Sequence, residues 1–200
     1  MEKEHFIEIE QALLGLEQPS TWLNQLLEQA WFKKTPFFEL YQLSKTEQSP
    51  KHHPEGDAWK HTMLVVNEAA KVKDQSSHPR AFMWGAFLHD IGKPETTKRH
   101  KGRITAYNHD AVGAKKAEQF LRYFQEEEDF IRLTTAYVRW HMMILYVIKD
   151  LPFGDVKRMK QEIEAKEIAL LGWCDRMGRL DADAAEERMD IDRFLEKVSN

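Results

Sequence analysis

A single cysteine, Cys174, stands in 200 residues, so no intramolecular disulfide forms and no paired-thiol metal site exists. Any metal bound by this chain must be taken by histidine and carboxylate. No run approaches the roughly 18 consecutive apolar residues that a membrane-spanning helix needs. The opening Met1-Glu2-Lys3-Glu4-His5 lacks the basic-then-apolar order of a secretory signal, so a cytoplasmic, non-membrane protein is expected. Excess basic charge is missing too: a net charge of −4 gives no overall pull toward nucleic acid or an anionic membrane, and an anionic partner has to be met locally. Fixed-period repeats, low-complexity runs and β-rich runs joined by a hairpin turn are also absent from the pattern.

What is present reads as helices. With 42% hydrophobic and 31% charged residues the chain has the composition of a folded protein, and its length suits one core. The expected organisation is a helical extension over residues 1–35, followed by one domain over 36–200 that ends in a helical tail. Two short N-terminal helices are expected, from Phe6 to about Leu16 and from Pro19 to about Phe32, with Ser20 or Thr21 as a cap for the second. Asp57 is an N-cap for a helix to about Lys73, on which His61, Leu64, Val65, Ala69 and Val72 share one face. The next helix starts at Pro79 and stops at Gly92-Lys93-Pro94, with Gly92 as a left-handed C-cap and His89-Asp90 in the last turn. Small Gly85 and Ala86 let another helix approach there.

A polar, basic loop from Lys93 to Tyr107 leads to a helix from Asn108 to Phe124 with His109 at its mouth. A helix from Asp129 to Ile148 turns His141 inward with Ile131, Thr134, Val138, Leu145 and Ile148. A later helix places Asp175 on a face with Ile168, Leu171, Gly172 and Gly178. An amphipathic tail runs from Asp181 to Val198. One inward histidine is more often a hydrogen-bonded core residue than a ligand. Four histidines and two aspartates turned inward from five helices are another matter, because each buried carboxylate needs pairing or a cation.

These residues resemble the HD superfamily, whose pattern is a histidine on one helix, a His-Asp pair on a later one and a distant aspartate: here His61, His89-Asp90 and Asp175. The likeness is nearest to the HD domain of some CCA-adding tRNA nucleotidyltransferases, through His53-Pro54-Glu55-Gly56-Asp57-Ala58-Trp59-Lys60-His61-Thr62, His89-Asp90-Ile91-Gly92-Lys93-Pro94 and Asn108-His109-Asp110-Ala111-Val112-Gly113-Ala114, over roughly residues 36 to 180. The resemblance implies an all-α HD-domain bundle of about seven to nine helices and metal-dependent phosphomonoesterase or phosphodiesterase chemistry. Neither the β-rich nucleotidyl-transfer domain nor its paired aspartates have room here, so CCA addition is not expected. HD proteins with two extra histidines can hold two metals. By that likeness His109 and His141 complete a second position, with Asp90 as the bridge. One ion or two stays open, as does the choice among Fe, Mn, Ni, Co, Zn and Mg.

For substrate, Lys93 follows the His-Asp pair by three residues and is the main candidate for a phosphate. Lys98, Arg99, Lys101 and Arg103 make the following loop basic, and Lys98, Arg99 and Lys101 read more simply as solvated residues. Arg139 and Arg176 could reach a phosphate or pair with a carboxylate. Trp59 is more simply a packing residue than a base-stacking one. The expected function is hydrolysis of a small phosphorylated substrate, a nucleotide or cyclic nucleotide phosphate, by metal-activated water, with Asp90 and Lys93 as the catalytic pair and an RNA end as another substrate option. The alternatives are a dinucleoside polyphosphate hydrolase and a non-enzymatic nucleotide-binding regulatory module. The amphipathic ends also leave room for a homodimer or a docking role.

Overall fold

The computed structural model describes residues 1–199. Its helices are α1 (Glu2–Gly15), α2 (Ser20–Leu23), α3 (Phe38–Leu43), α4 (Ala58–Val72), α5 (Pro79–Leu88), α6 (Lys93–Thr96), α7 (His109–Tyr123), α8 (Glu128–Trp140), α9 (Met143–Ile148), α10 (Val156–Glu162), α11 (Ala165–Met177) and α12 (Ala184–Ser199). Among the described residues seven of these have ten residues or more, and the others are one- or two-turn pieces. The chain is thus an all-α bundle. None of its described helices is long and apolar enough to cross a membrane.

The bundle is organised around α5. Every residue from Ala81 to Lys93 is buried, so this helix is enclosed on all sides and not on one face as its spacing suggested. Helix α8 lies against α5, α7 against α8, and α4 against both α5 and α11. The close crossing of α5 and α8 depends on Gly85, where a Cβ atom would fall 2.6 Å from the Cβ of Tyr137. Asp57 caps α4 as its sequence position suggests, accepting the Lys60 amide at 2.9 Å. Helix α12 buries Ile191, Phe194 and Val198 against α9 and α11.

Several sequence expectations are corrected. The second helix does not reach Phe32: α2 has four residues and passes into a 3-10 turn over Asn24–Glu28. Its start is capped from outside, since Asn67 Oδ1 of α4 accepts the Ser20 amide at 3.1 Å and Asn67 Nδ2 donates to Ser20 Oγ at 2.8 Å. The stretch from Lys93 to Tyr107 is not a plain loop but contains α6 and a hairpin, β1 (Thr97–His100) paired antiparallel with β2 (Arg103–Ala106). Lys101 and Gly102 both take positive φ, 47° and 77°, which fits a two-residue hairpin turn. Four-residue polar strands carry almost no alternation to read. The helix expected from Asp129 to Ile148 breaks at His141 and Met142 into α8 and α9, so Leu145 leaves the buried stripe and is exposed.

Gly92 is not left-handed: its φ is −82°, and α5 ends before it, with His89 as C-cap. The demand at Gly92 is steric. A Cβ there would lie 2.1 Å from the His109 carbonyl oxygen and 2.6 Å from the Gly113 amide nitrogen. Only a bare Cα lets the start of α7 approach the His89-Asp90 turn, which brings His109 to Asp90.

Candidate metal centre

Three of the histidines are held in the same way, each by its own backbone. His89 Nδ1 donates to the Ala86 carbonyl at 2.8 Å, His109 Nδ1 to Ala106 at 2.7 Å, and His141 Nδ1 to Val138 at 2.7 Å. A carbonyl oxygen only accepts, so in each ring the proton sits on Nδ1 and the Nε2 lone pair is directed away from the backbone, toward the centre. Burial and, for His141, the neighbouring His109 and His89 hold His109 and His141 below the usual imidazole range, His141 at about 4. Both are neutral at pH 7. Their Nε2 atoms nevertheless face each other at 3.0 Å, two lone pairs in contact, an arrangement that a shared cation relieves.

Asp90 lies between the histidines and is almost wholly buried. Its Oδ1 is 3.5 Å from His109 Nε2 and 4.0 Å from His141 Nε2, while its Oδ2 is 3.2 Å from His89 Nε2 and 2.7 Å from Lys93 Nζ. The Oδ2 contacts are close but poorly directed: neither Asp90 Oδ2 nor His89 Nε2 makes a hydrogen bond. Burial opposes ionisation of Asp90, but positive charge beside it, the Lys93 ammonium above all, outweighs it and holds the carboxyl well below its ordinary value. A buried anion and a buried nitrogen lone pair, side by side and short of hydrogen bonds, form a donor set that suits a divalent ion.

His61, on α4, is fully buried. Its Nε2 is 2.8 Å from Asp175 Oδ1 of α11, and its Nδ1 is 2.8 Å from Glu55 Oε1. The Glu55 contact lies off the N–H direction and is not a formed hydrogen bond, and Glu55 Oε2 is buried without a partner. Burial works against it, but the contacts with both carboxylates raise the His61 pKa. Asp175 goes the other way, with His61 overcoming burial to hold it well below its ordinary value. Donor atoms of His61, His89 and Asp90 lie within 4.8 Å of one another, and so do those of Asp90, His109 and His141. Asp90 belongs to both groups. Asp175 belongs to neither and reaches the cluster through His61.

The candidate substrate cations are placed unequally. Lys93 is buried beside Asp90 and donates to Gln48 Oε1. Arg139 is paired with Asp110 and lies over Trp140, and Arg176 is paired with Glu187 and Asp190 of α12. Lys98, Arg99 and Lys101 are exposed on the hairpin. Trp59 is buried among Phe32 and Phe87 and donates to Asn24 Oδ1 at 2.9 Å, a packing residue.

The sequence reading did not single out Glu55, His53 and Gln48 as site residues. They sit on the loop pinned at its base by the Glu47–Asp57 bridge and by the Ala58 amide on the Thr46 carbonyl at 3.0 Å. His53 Nδ1 lies 2.9 Å from Glu55 Oε1, and donors of His53, Glu55 and His61 form a third group that could hold an ion. Burial, with Lys93 and His61, holds His53 down to about 4. Glu55 is held at about 2: burial raises it, and its contacts with His61 and His53 lower it further. The His-x-Glu ahead of the Asp57 cap was the available signal.

A helical bundle with an interior cluster of histidine and aspartate agrees with the comparisons. The HD domain family model matches residues 58–177, and the chain belongs to that family. It is similar to the multifunctional CCA proteins of Actinobacillus pleuropneumoniae serotype 5b (34% identical over 104 residues, 50% of this chain and 25% of that protein), Halorhodospira halophila (35% over 133 residues, 64% and 30%) and Mannheimia succiniciproducens (29% over 164 residues, 78% and 38%). The chain spans only about a quarter to two fifths of the length of these relatives. HD domains are in general metal-dependent hydrolases, and the buried clusters here could hold such a metal.

Proposed function

We propose that this chain hydrolyses a phosphoester, a nucleotide or cyclic nucleotide phosphate, at a divalent metal centre formed by His61, His89, Asp90, Asp175, His109 and His141. The observation that carries the reading is the facing of the His109 and His141 Nε2 atoms at 3.0 Å beside the buried Asp90 carboxylate. A bound divalent ion would lower the pKa of a water molecule and draw charge from the phosphoryl oxygens. The chain's own residues do the rest. Asp90 presents one oxygen to His89 and the other to His109 and His141, which suits it to bridge two ions. His61 and Asp175 close the opposite side. Lys93, three residues after Asp90, keeps that carboxylate ionised and is near enough to take a phosphoryl oxygen. The nucleotide part is supported by the likeness to the multifunctional CCA proteins, and an RNA end is a further candidate substrate.

The test is metal analysis of the purified protein with a phosphate-release screen over nucleotides, cyclic nucleotides and dinucleoside polyphosphates in Mn, Ni, Co or Mg. Bound metal and release of phosphate are expected, with the metal content of His109→Ala and His141→Ala lower than that of the wild type. Unchanged stoichiometry in both variants would favour a single-ion centre. A wild type that binds none of the four ions and releases nothing would overturn the reading, and binding of nucleotide without turnover would favour a regulatory module.

A further inference from the structure

Arg139, Arg176 and Lys93 all have partners of their own, yet one cation beside the centre is uncommitted. Arg179 lies four residues, about one helical turn, beyond Asp175, and its amide donates to the Arg176 carbonyl at 3.2 Å, so the chain is still turning past the end of α11. The chain is clamped there. A Cβ atom at Gly178 would lie 2.7 Å from Val65 Cγ2 and 3.0 Å from the Val65 amide nitrogen, one turn along α4 from His61. Arg179 thus leaves α11 against the helix that carries His61.

The Arg179 guanidinium makes no hydrogen bond or ion pair among the described residues, and its Nε is enclosed by protein with no acceptor. The residue as a whole is part-buried, so the rest of the fork opens toward solvent. The contrast with Arg176 is direct: Arg176 turns to α12 and is taken up by Glu187 and Asp190, whereas Arg179, one turn beyond Asp175, has no side-chain partner among the described residues. A planar fork with unspent donors, its Nε enclosed and its residue one turn beyond Asp175, is a natural receiver of a tetrahedral oxyanion.

We propose that Arg179 is the anion-binding residue on the His61–Asp175 side of this centre, taking a phosphoryl oxygen of a phosphomonoester or of inorganic phosphate. The inference deepens the phosphoester reading and rests on it for the substrate, but not for the anion.

Binding of inorganic phosphate and of a nucleoside monophosphate would be measured by calorimetry on wild type, Arg179→Lys, Arg179→Gln and Arg179→Ala, each with Mn and without metal. Metal content and far-ultraviolet circular dichroism would be recorded alongside. Affinity for both anions is expected to fall at least about tenfold in Arg179→Gln and Arg179→Ala, with part retained in Arg179→Lys and with metal content and helicity unchanged. Arg179→Gln keeps the inference testable should Arg179→Ala not fold. A loss for the nucleotide and not for inorganic phosphate would place the contact on the nucleoside and overturn the assignment. Wild-type affinity in the folded Gln variant, or loss of phosphate binding only together with loss of metal, would also overturn it. Anion binding that depends on Arg179 in a protein holding no metal would keep the inference and sink the metal reading. Metal-dependent hydrolysis with no such dependence would do the reverse.

Discussion

Helix α5 joins two interiors of opposite character. Midway along it Phe6 stacks on Trp84 with centroids 4.4 Å apart, and Phe120 and Phe124 pack around them. The indole nitrogen of Trp84 reaches Glu10 at 2.9 Å. At its far end His89 and Asp90 open a region of imidazoles and carboxylates with close, ill-directed contacts. The first interior gains free energy from apolar area and ring packing, and the second holds polar groups away from water without fully pairing them. One helix therefore carries both the stability and the reactivity, and substitutions in the two interiors should separate them.

The largest separation is expected at Asp90. Asp90→Ala should reduce phosphate release to background and strip metal while helicity is retained, because the apolar stripes do not use this carboxylate. Metal content, circular dichroism and hydrolysis would be measured together. Lys93→Ala should keep its metal and lose turnover. An active Asp90→Ala, or a Lys93→Ala equally short of metal, would merge the two roles. In the apolar interior, Trp84→Ala should cost about 3–5 kcal/mol of stability yet leave metal affinity near wild type in the fraction that stays folded. Urea unfolding against metal titration checks this, and a matching loss of affinity would show that the two interiors are coupled.

Between about pH 6.5 and pH 4, acid should act chiefly on the polar interior. His53 and His141 have pKa values held down to about 4, chiefly by burial. A depressed imidazole contributes stability that is present above the unfolded value near 6.5 and is lost as pH falls through about 4. His61 is raised, so its contribution persists below 6.5 and disappears only on the alkaline side. The metal-free protein should therefore lose stability on going from about pH 6.5 to about pH 4, by up to roughly 3 kcal/mol per depressed histidine. Thermal melts of wild type and His141→Gln across that range would show it, the variant having the shallower slope. The smallest effect is expected from Glu55→Gln, which keeps the shape and removes the charge beside His61. Metal affinity should drop roughly 10–100-fold, with a lower melting temperature at neutral pH because the ionised Glu55 carboxylate is favoured in the fold; unchanged affinity would make Glu55 a packing residue.

The sequence carried the long helices well, because their apolar spacing reports burial directly. His61 points inward as its face with Val65 and Ala69 implies, and Gly85 admits a neighbouring helix. What escaped it was what depends on residues distant in the chain. The demand on Gly92 comes from the His109 carbonyl, seventeen positions away, and nothing in Gly-Lys-Pro distinguishes that approach from a left-handed cap. The hairpin over Thr97–Ala106 has strands too short and polar to alternate. Arg139 and Arg176 looked available because their acidic partners lie on other helices or on later turns. Glu55 and His53 fell in a turn-rich segment with no period, so only the folded loop brings them to His61.

Three imidazoles in this centre take their orientation from main-chain oxygens three positions back in their own segments. A main-chain oxygen is present whatever side chain its residue carries, so no ordinary point substitution at Ala86, Ala106 or Val138 deletes the acceptor. His61 alone leans on side chains, hydrogen-bonded to Asp175 and lying against Glu55. In a drifting or engineered lineage, three of the four rings would keep their tautomer by inheritance of the backbone, and positions 55 and 175 are where the donor strength of the set is open to change.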